Sequence, residues 1–323
     1  MRQLIPAALL AAALAVGDSR AQPSFWKSEW PNTDFSITAV ADWGEIRGGG
    51  PPRDGIPALD DPVFVPVSEN DGIGEREPVV TVEVEGALPR AYPLRYLIWH
   101  EIVNDEAGGL AYAVTYCPLC NSVPVFERRL DGRLFSFGVS GKLRGSNLIM
   151  YDRETESWWQ QATGEAIVGE MTGAALRPVV SWQESLAEFR ERNPEGLLMA
   201  EPDWRRAYGT NPYAGYDSAR RPFLYNGEDP PHGIPPLARV LRVGARAWPL
   251  ERLRAAGELR EGGLTISWRA GQASALDTRR ISGGRDVGTI RVRDGQGRDV
   301  PHDIMFAFAF HEFWPEGEWM LGE

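Results

Sequence analysis

Cys117 and Cys120 are the only cysteines in the chain, and they share one short run, Thr115-Tyr116-Cys117-Pro118-Leu119-Cys120-Asn121. Two thiols at this spacing suit reversible disulfide chemistry or metal ligation. A structural staple explains them poorly. A bridge closing so few residues restrains the unfolded chain by only roughly 2 kcal/mol, against about 4 to 5 for a long loop. In a reactive pair that opens a helix, the helix N-terminus lowers the first thiol's pKa. Here Cys120 is followed by Asn121-Ser122-Val123-Pro124-Val125-Phe126, where proline and β-branched residues favour an extended chain. The pair is therefore expected on a turn between two strands. Pro118 sets a turn φ, and Asn121 tolerates the left-handed conformation that follows such a turn.

The local text resembles the Cys-Pro-x-Cys knuckle of zinc ribbons and rubredoxins more than a thioredoxin motif. One knuckle supplies two thiolates where a structural zinc takes four ligands, and the chain has no second knuckle. A metal would have to recruit His100, with Glu101, His302 or His311 completing the set; Cys117, Cys120 and His100 would suit copper or zinc. His100 reads equally well as a core histidine bonded to Asp105 or to a backbone carbonyl. In the redox reading, Cys117 attacks, Cys120 resolves and His100 is the base, which makes the chain a thiol-disulfide oxidoreductase acting on protein or small-molecule thiols. A metal-binding protein served by a metal donor is the first alternative. An extracytoplasmic structural or interaction protein with inert cysteines is the second.

The elements that must position these residues are short. The 35 Gly and 25 Pro are spread through the sequence and argue for strands joined by turns. Strands are expected at 79–84, 111–116, 134–139, 148–151 and 240–243, and a further one across Met305–Trp314, where large and small residues alternate. One helix is expected over 94–103 after Pro93. A second is expected from the capping-box pattern Ser181-Trp182-Gln183-Glu184 to about Arg192. Arg90-Ala91-Tyr92-Pro93-Leu94 recurs as Arg246-Ala247-Trp248-Pro249-Leu250, and Gly108-Gly109-Leu110 as Gly262-Gly263-Leu264. The alignment puts Gly271 opposite Cys117, Ser274 opposite Cys120 and Ala256 opposite His100. Only the first copy keeps the polar site.

Other features carry less chemistry. Asp54, Asp60 and Asp61 in a Pro- and Gly-rich loop offer oxygens to calcium, but they match no EF-hand and read better as turn caps fixing an N-terminal arm. Glu154 and Glu156 beside Trp158 and Trp159 have the ingredients of a sugar site, yet alternation on a strand accounts for them. Ser140 lacks the Gly-x-Ser-x-Gly elbow of a serine hydrolase.

Lys and Arg number 34 against 45 Asp and Glu, a net charge of −11, which disfavours nucleic acid and anionic lipid as partners. Arg2, the apolar stretch Leu4–Val16 and Ser19-Arg20-Ala21 read as a secretory signal peptide, cleaved before Gln22. The apolar stretch is too short to span a bilayer, and no other stretch approaches that length. The expected location is periplasmic or secreted.

Several stretches together resemble DUF3179, a family of exported bacterial proteins of unknown function with a Tyr-Cys-Pro-x-Cys motif. They are Gly49–Pro62, Arg90–Leu94, Trp99–Asp105, Thr115–Cys120, Phe137–Gly141, Met150–Arg153 and Asn211–Asp217. The resemblance implies a redox-type cysteine position, held by selenocysteine in some members, and no defined reaction.

The expected fold is mainly β (α+β): antiparallel sheets in two related lobes with a few short helices. Residues 1–21 are read as signal peptide and 22–72 as an N-terminal arm. Residues 73–229 form the first lobe with the Cys-Pro-Leu-Cys site, and 230–323 the second, degenerate copy.

Overall fold

The computed structural model describes residues 22–70 and 72–322, so the expected leader, residues 1–21, lies outside the described residues. Among these residues the strands form five sheets of three to five strands, plus one two-stranded hairpin. Three strand pairs are parallel: Leu197–Met199 with Arg90–Pro93, Glu318–Trp319 with Arg246–Pro249, and Leu59–Asp60 with Ile102–Ala107. The sheets stand as the blades of a five-bladed β-propeller ring, which overturns the expected pair of antiparallel lobes.

What recurs in the sequence is a blade pair. The hairpin Pro78–Val82/Arg90–Pro93 gains Ser181–Ser185 antiparallel on one side and Leu197–Met199 parallel on the other. The hairpin Arg239–Val243/Arg246–Pro249 gains Asp303–Phe306 and Glu318–Trp319 in the same senses. Each hairpin runs into a helix, Leu94–His100 or Leu250–Ala256. The chain then enters a second blade through Ile102–Ala107/Leu110–Thr115 or Glu258–Glu261/Leu264–Arg269. The fifth blade, built on Phe137–Arg144 and Asn147–Asp152, has no partner copy. The physical reason for a ring is that a small sheet has two faces to bury. Neighbouring blades on both sides bury them, whereas a lobe would need its own closed core.

The expected strands at 79–84, 111–116, 134–139, 148–151 and 240–243 are present within a few residues. Two local expectations fail. Ser181–Ser185 is a strand, because it pairs residue by residue with Pro78–Val82; the helix begins only at Leu186, capped by Ser185, whose hydroxyl accepts the Glu188 N–H at 3.2 Å. The strand expected across 305–314 stops at Phe306, and Ala307–Phe313 is helical. Ala307, Phe308, Ala309 and Phe310 are all fully buried, so burial all round, rather than on one face, produces their pattern.

The N-terminal segment packs on the unpaired blade, where Trp26, Trp30 and Phe35 bury edge-on around Trp158. Arg53 lies over Trp30 and Tyr151 at 4.3 and 4.4 Å and binds Glu156 at 2.9 Å. Asp54 accepts the Tyr151 hydroxyl at 2.5 Å, and Asp60 takes Arg153 through both oxygens, so these aspartates fasten the segment. Among the described residues no helix is long and apolar enough to cross a membrane.

Gly141 is where this segment meets the blade. It sits at a bulge with φ +72°, its carbonyl accepts the Gly49 N–H at 2.8 Å, and a Cβ there would drive into the Pro51 carbonyl. Gly141→Ala should lower the unfolding free energy by at least ~1–3 kcal/mol, the usual cost of such backbone strain, measured by urea titration against Gly132→Ala. Gly132 also has positive φ but open space around it, so it separates the clash from strain alone.

Candidate functional site

Three pieces of chain build the surroundings of the two thiols. The strand Leu110–Thr115 ends one residue before Tyr116, and Val125–Glu127 returns beside it, so the pair sits on the expected turn between strands. Cys117 and Ser122 exchange backbone hydrogen bonds at 2.9 and 3.3 Å, the Cys120 N–H donates to the Cys117 carbonyl at 3.2 Å, and Asn121 adopts the left-handed φ of +53°. This is the knuckle geometry that Pro118 and Asn121 favour.

The knuckle is fixed to another blade. Ser122 Oγ and the Val123 N–H donate to the two oxygens of Asp303 at 2.6 and 2.9 Å, Asn121 Nδ2 donates to the Ile304 carbonyl at 2.9 Å, and the Phe306 N–H donates to the Cys120 carbonyl at 2.8 Å. Burial pushes the Asp303 carboxyl up, against Arg242 and the two donors, which favour its charged form.

A third piece, the turn Gly145-Ser146, comes from the unpaired blade. Both residues have positive φ, +55° and +57°, and the turn links directly paired Arg144 and Asn147, as a two-residue hairpin of type I′ requires. It places the Ser146 carbonyl 3.3 Å from Cys120 Sγ and 3.9 Å from Cys117 Sγ, so one carbonyl faces both sulfurs. Asn147 Nδ2 donates to Cys120 Sγ at 3.4 Å. Its amide is held by Gln160 Nε2, the Ala162 N–H and Gln161 Oε1, while Gln161 Nε2 donates to Thr115 Oγ1 and the Ser122 carbonyl. Sequence alone gave no reason to choose Ser146 or Asn147, because only the ring brings that turn to the knuckle.

The two thiols are free, buried and electrostatically unequal. Burial works against a Cys117 thiolate, but hydrogen bonds from the Cys120 thiol and from the Leu148, Cys120 and Leu119 amides outweigh it, and the Cys117 thiol lies below its ordinary pKa. Burial, then the bond and the charge of Cys117, push the Cys120 thiol well above its own. The two thiols titrate as a coupled pair, with the surroundings of Cys117 favouring its thiolate over that of Cys120.

Glu101 is the ionisable group set against Cys117. It ends the helix Leu94–His100 in the left-handed conformation, φ +60°, and its carbonyl accepts the Tyr116 N–H at 2.7 Å. Burial, reinforced by the Cys117 charge, raises its carboxyl well above the usual carboxylate range and so favours its neutral form. Its folded value exceeds its unfolded one, so the stability this group contributes is complete below the ordinary value of 4.5 and is lost as pH rises through the folded value. The sequence pointed to Glu101 only as a metal ligand.

His100 is buried one residue away, with both ring nitrogens occupied: Nδ1 with the Pro57 carbonyl at 2.7 Å and Nε2 with the Tyr208 hydroxyl at 2.6 Å. Burial lowers its pKa against the Pro57 bond. His302 binds the Val300 and Ile290 carbonyls, and His311 lies on the last helix. Among the described residues no group of three His, Cys, Asp or Glu side chains could hold a metal ion, so copper or zinc at Cys117, Cys120 and His100 finds no ligand cluster. The same holds for calcium at Asp54, Asp60 and Asp61.

A strap closes the site. Tyr216 Oη donates to the Leu119 carbonyl at 2.9 Å and accepts the Phe223 N–H at 3.2 Å, and Ser146 Oγ donates to the Phe223 carbonyl at 2.5 Å. Asp217, next along, receives Ser274 Oγ at 2.6 Å and Arg239 at 3.2 Å. Ser274 is the residue aligned with Cys120 in the second copy, and there it anchors the strap. Cys117 is left 2% exposed and Cys120 not at all.

The model of a family described as "Protein of unknown function (DUF3179)" matches residues 53–317, which include every element of this site. No curated protein matches the chain, and no solved structure does.

With both sulfurs buried and the strap bonded to Leu119 and Ser146 beside them, modification of the native dithiol by a bulky aromatic disulfide should be slow and opening-limited. Tyr216→Phe deletes the latch bond to Leu119 and, within the strap, the bond from the Phe223 N–H; loss of the latch bond, worth about 1 kcal/mol, should speed labelling about fivefold without changing the rate in denaturant. Equal native rates for the two proteins, followed by absorbance of the released thiol, would show that the strap is no barrier.

Proposed function

This chain belongs to the DUF3179 family, and we propose that its Cys117–Cys120 pair is a thiol–disulfide redox centre of an exported protein. The observation that carries this reading is the placement of both sulfurs on one short turn against the same Ser146 carbonyl, where the Cys117 thiol is pushed below and the Cys120 thiol above its ordinary pKa. A buried inert pair has no need of that asymmetry. The leader-like N-terminus supports an oxidising, extracytoplasmic location.

In the reductive half-reaction the Cys117 thiolate attacks one sulfur of a substrate disulfide. A bond forms from Cys117 Sγ to that sulfur, the substrate S–S bond breaks, and the other substrate sulfur leaves as a thiolate. Glu101, neutral and beside Cys117, is the proton donor for that leaving group. Glu101, now a carboxylate, takes the Cys120 proton; the Cys120 thiolate then attacks Cys117 Sγ, forms the Cys117–Cys120 bond and expels the second substrate sulfur as a thiolate. Two electrons pass from the dithiol to the substrate, and the reverse sequence oxidises a dithiol substrate.

His100 is less suited to the base role it was given from the sequence, since Pro57 and Tyr208 already take both nitrogens. Glu101 takes that role in this reading.

The decisive measurement is a redox titration of the protein in graded dithiothreitol buffers, with acid quenching, alkylation and mass analysis. A single two-electron transition that disappears in both Cys117→Ser and Cys120→Ser supports the centre. Thiols that stay alkylatable under every poise, with the strap opened by Tyr216→Phe, would leave the pair inert. Cys120→Ser should trap a mixed disulfide on Cys117, and Cys117→Ser should trap far less.

Glu101→Gln keeps the buried shape and hydrogen-bonding capacity of the neutral acid but cannot cycle a proton. It should retain the redox midpoint while slowing disulfide exchange on the order of 10²-fold. An unchanged exchange rate in stopped-flow assays would remove Glu101 from the chemistry.

A further inference from the structure

A hollow of about 420 Å³ opens beside the helix Leu250–Ala256, in the degenerate copy, and the cysteines are not among its walls. Leu237, Pro249, Leu250 and Val287 supply an apolar floor, and its lining is more apolar than polar. Three guanidiniums stand in the walls, those of Arg239, Arg254 and Arg285, with the carboxylates of Glu251 and Asp286.

The hydrogen-bond ledger of these groups does not balance. Asp286 spends both oxygens on the backbone amides of Gly271 and Gly288. Arg285 is bound to Ser218 Oγ and to Asp217. Arg239, itself 7% exposed, gives one terminal nitrogen to Asp217 and Ser274, while its buried Nε–H has no acceptor. Arg254 lies over the Trp268 ring at 5.7 Å, and among the described residues no carboxylate or carbonyl binds its guanidinium. Glu251, exposed at the first turn of its helix, leaves the Arg239 donor unserved. The wall thus sets three guanidiniums against two carboxylates, of which Asp286 is spent on backbone amides, while Asp217, outside the wall, pairs with Arg239 and Arg285 and keeps one oxygen without a partner among the described residues.

An unmet buried N–H is costly, and the partner that satisfies a guanidinium best is a carboxylate. The volume is that of a small-molecule site. We propose that this hollow binds a small organic monocarboxylate, its oxygens taken by Arg239 and Arg254 and its hydrocarbon body laid on Leu237, Leu250 and Val287. The site is independent of the thiol pair and stands whether or not the cysteines cycle.

The test uses octanoate, octanol and octylammonium as probes that share one hydrocarbon body, titrated calorimetrically into the full mature protein. Octanoate should bind at one site per chain and raise the melting temperature, with octanol at least tenfold weaker and octylammonium without saturable binding. Arg254→Glu alters an exposed side chain and should weaken octanoate at least tenfold, as should Leu250→Glu, with circular dichroism confirming that each variant keeps the fold. Octanol binding as well as octanoate, absence of saturable octanoate binding, or octanoate affinity that survives both substitutions would each overturn the assignment.

Discussion

The buried carboxylate of Asp303 is the joint on which the site depends. It lies on the last blade and takes Ser122 Oγ and the Val123 N–H from the cysteine knuckle, some 180 residues away in sequence. Hydrogen bonds to a charged group contribute about 1.5 to 3 kcal/mol each, and a buried carboxylate without them would be too costly to keep ionised. The joint therefore holds the knuckle and the closing blade together, and with them the ring. The Phe306 to Cys120 backbone bond and the Asn121 to Ile304 bond run beside it, so the loop that carries the thiols is also part of the closure.

A loop held this firmly can be tuned. The Cys-Pro-Leu-Cys turn aims its own amides at Cys117, the Gly145-Ser146 turn brings one carbonyl to both sulfurs, and the Asn147–Gln160–Gln161 network fixes the donor to Cys120. None of these groups is charged. They separate the two thiols by directed dipoles in a water-poor interior, where such dipoles act more strongly than in water. Glu101 is the exception: a carboxyl whose neutral form burial favours, held by a left-handed backbone at the helix end.

The second of the two similar blade pairs has a different task. Where the first copy carries Cys120, the second carries Ser274, whose hydroxyl joins Arg239 on Asp217. Asp217 follows Tyr216, the residue latched to Leu119. One copy thus houses the thiols and the other holds down their cover. The fifth blade, which has no counterpart, supplies the Ser146 carbonyl and receives the N-terminal segment.

The sequence alone determined the local facts. Cys117 and Cys120 on a turn between strands, the left-handed Asn121, the strands around them and the recurrence of Arg90–Leu94 as Arg246–Leu250 all follow from propensity and spacing, and the structure contains each. Tertiary structure decided the rest. Ser181–Ser185 carries a capping-box pattern yet became a strand because a full-length partner strand outweighs a local cap. Ala307–Phe313 begins with a strand-like alternation yet is a helix, and its first four residues are buried on every side. Two copies of a motif became blades of a ring, since flat sheets must cover both faces. His100 precedes Glu101 by one residue, but the helix end turns its ring toward Pro57 and Tyr208 while Glu101 is set against Cys117. Spacing along a chain states which residues are neighbours in sequence; which ones meet across blades is fixed only when the ring closes.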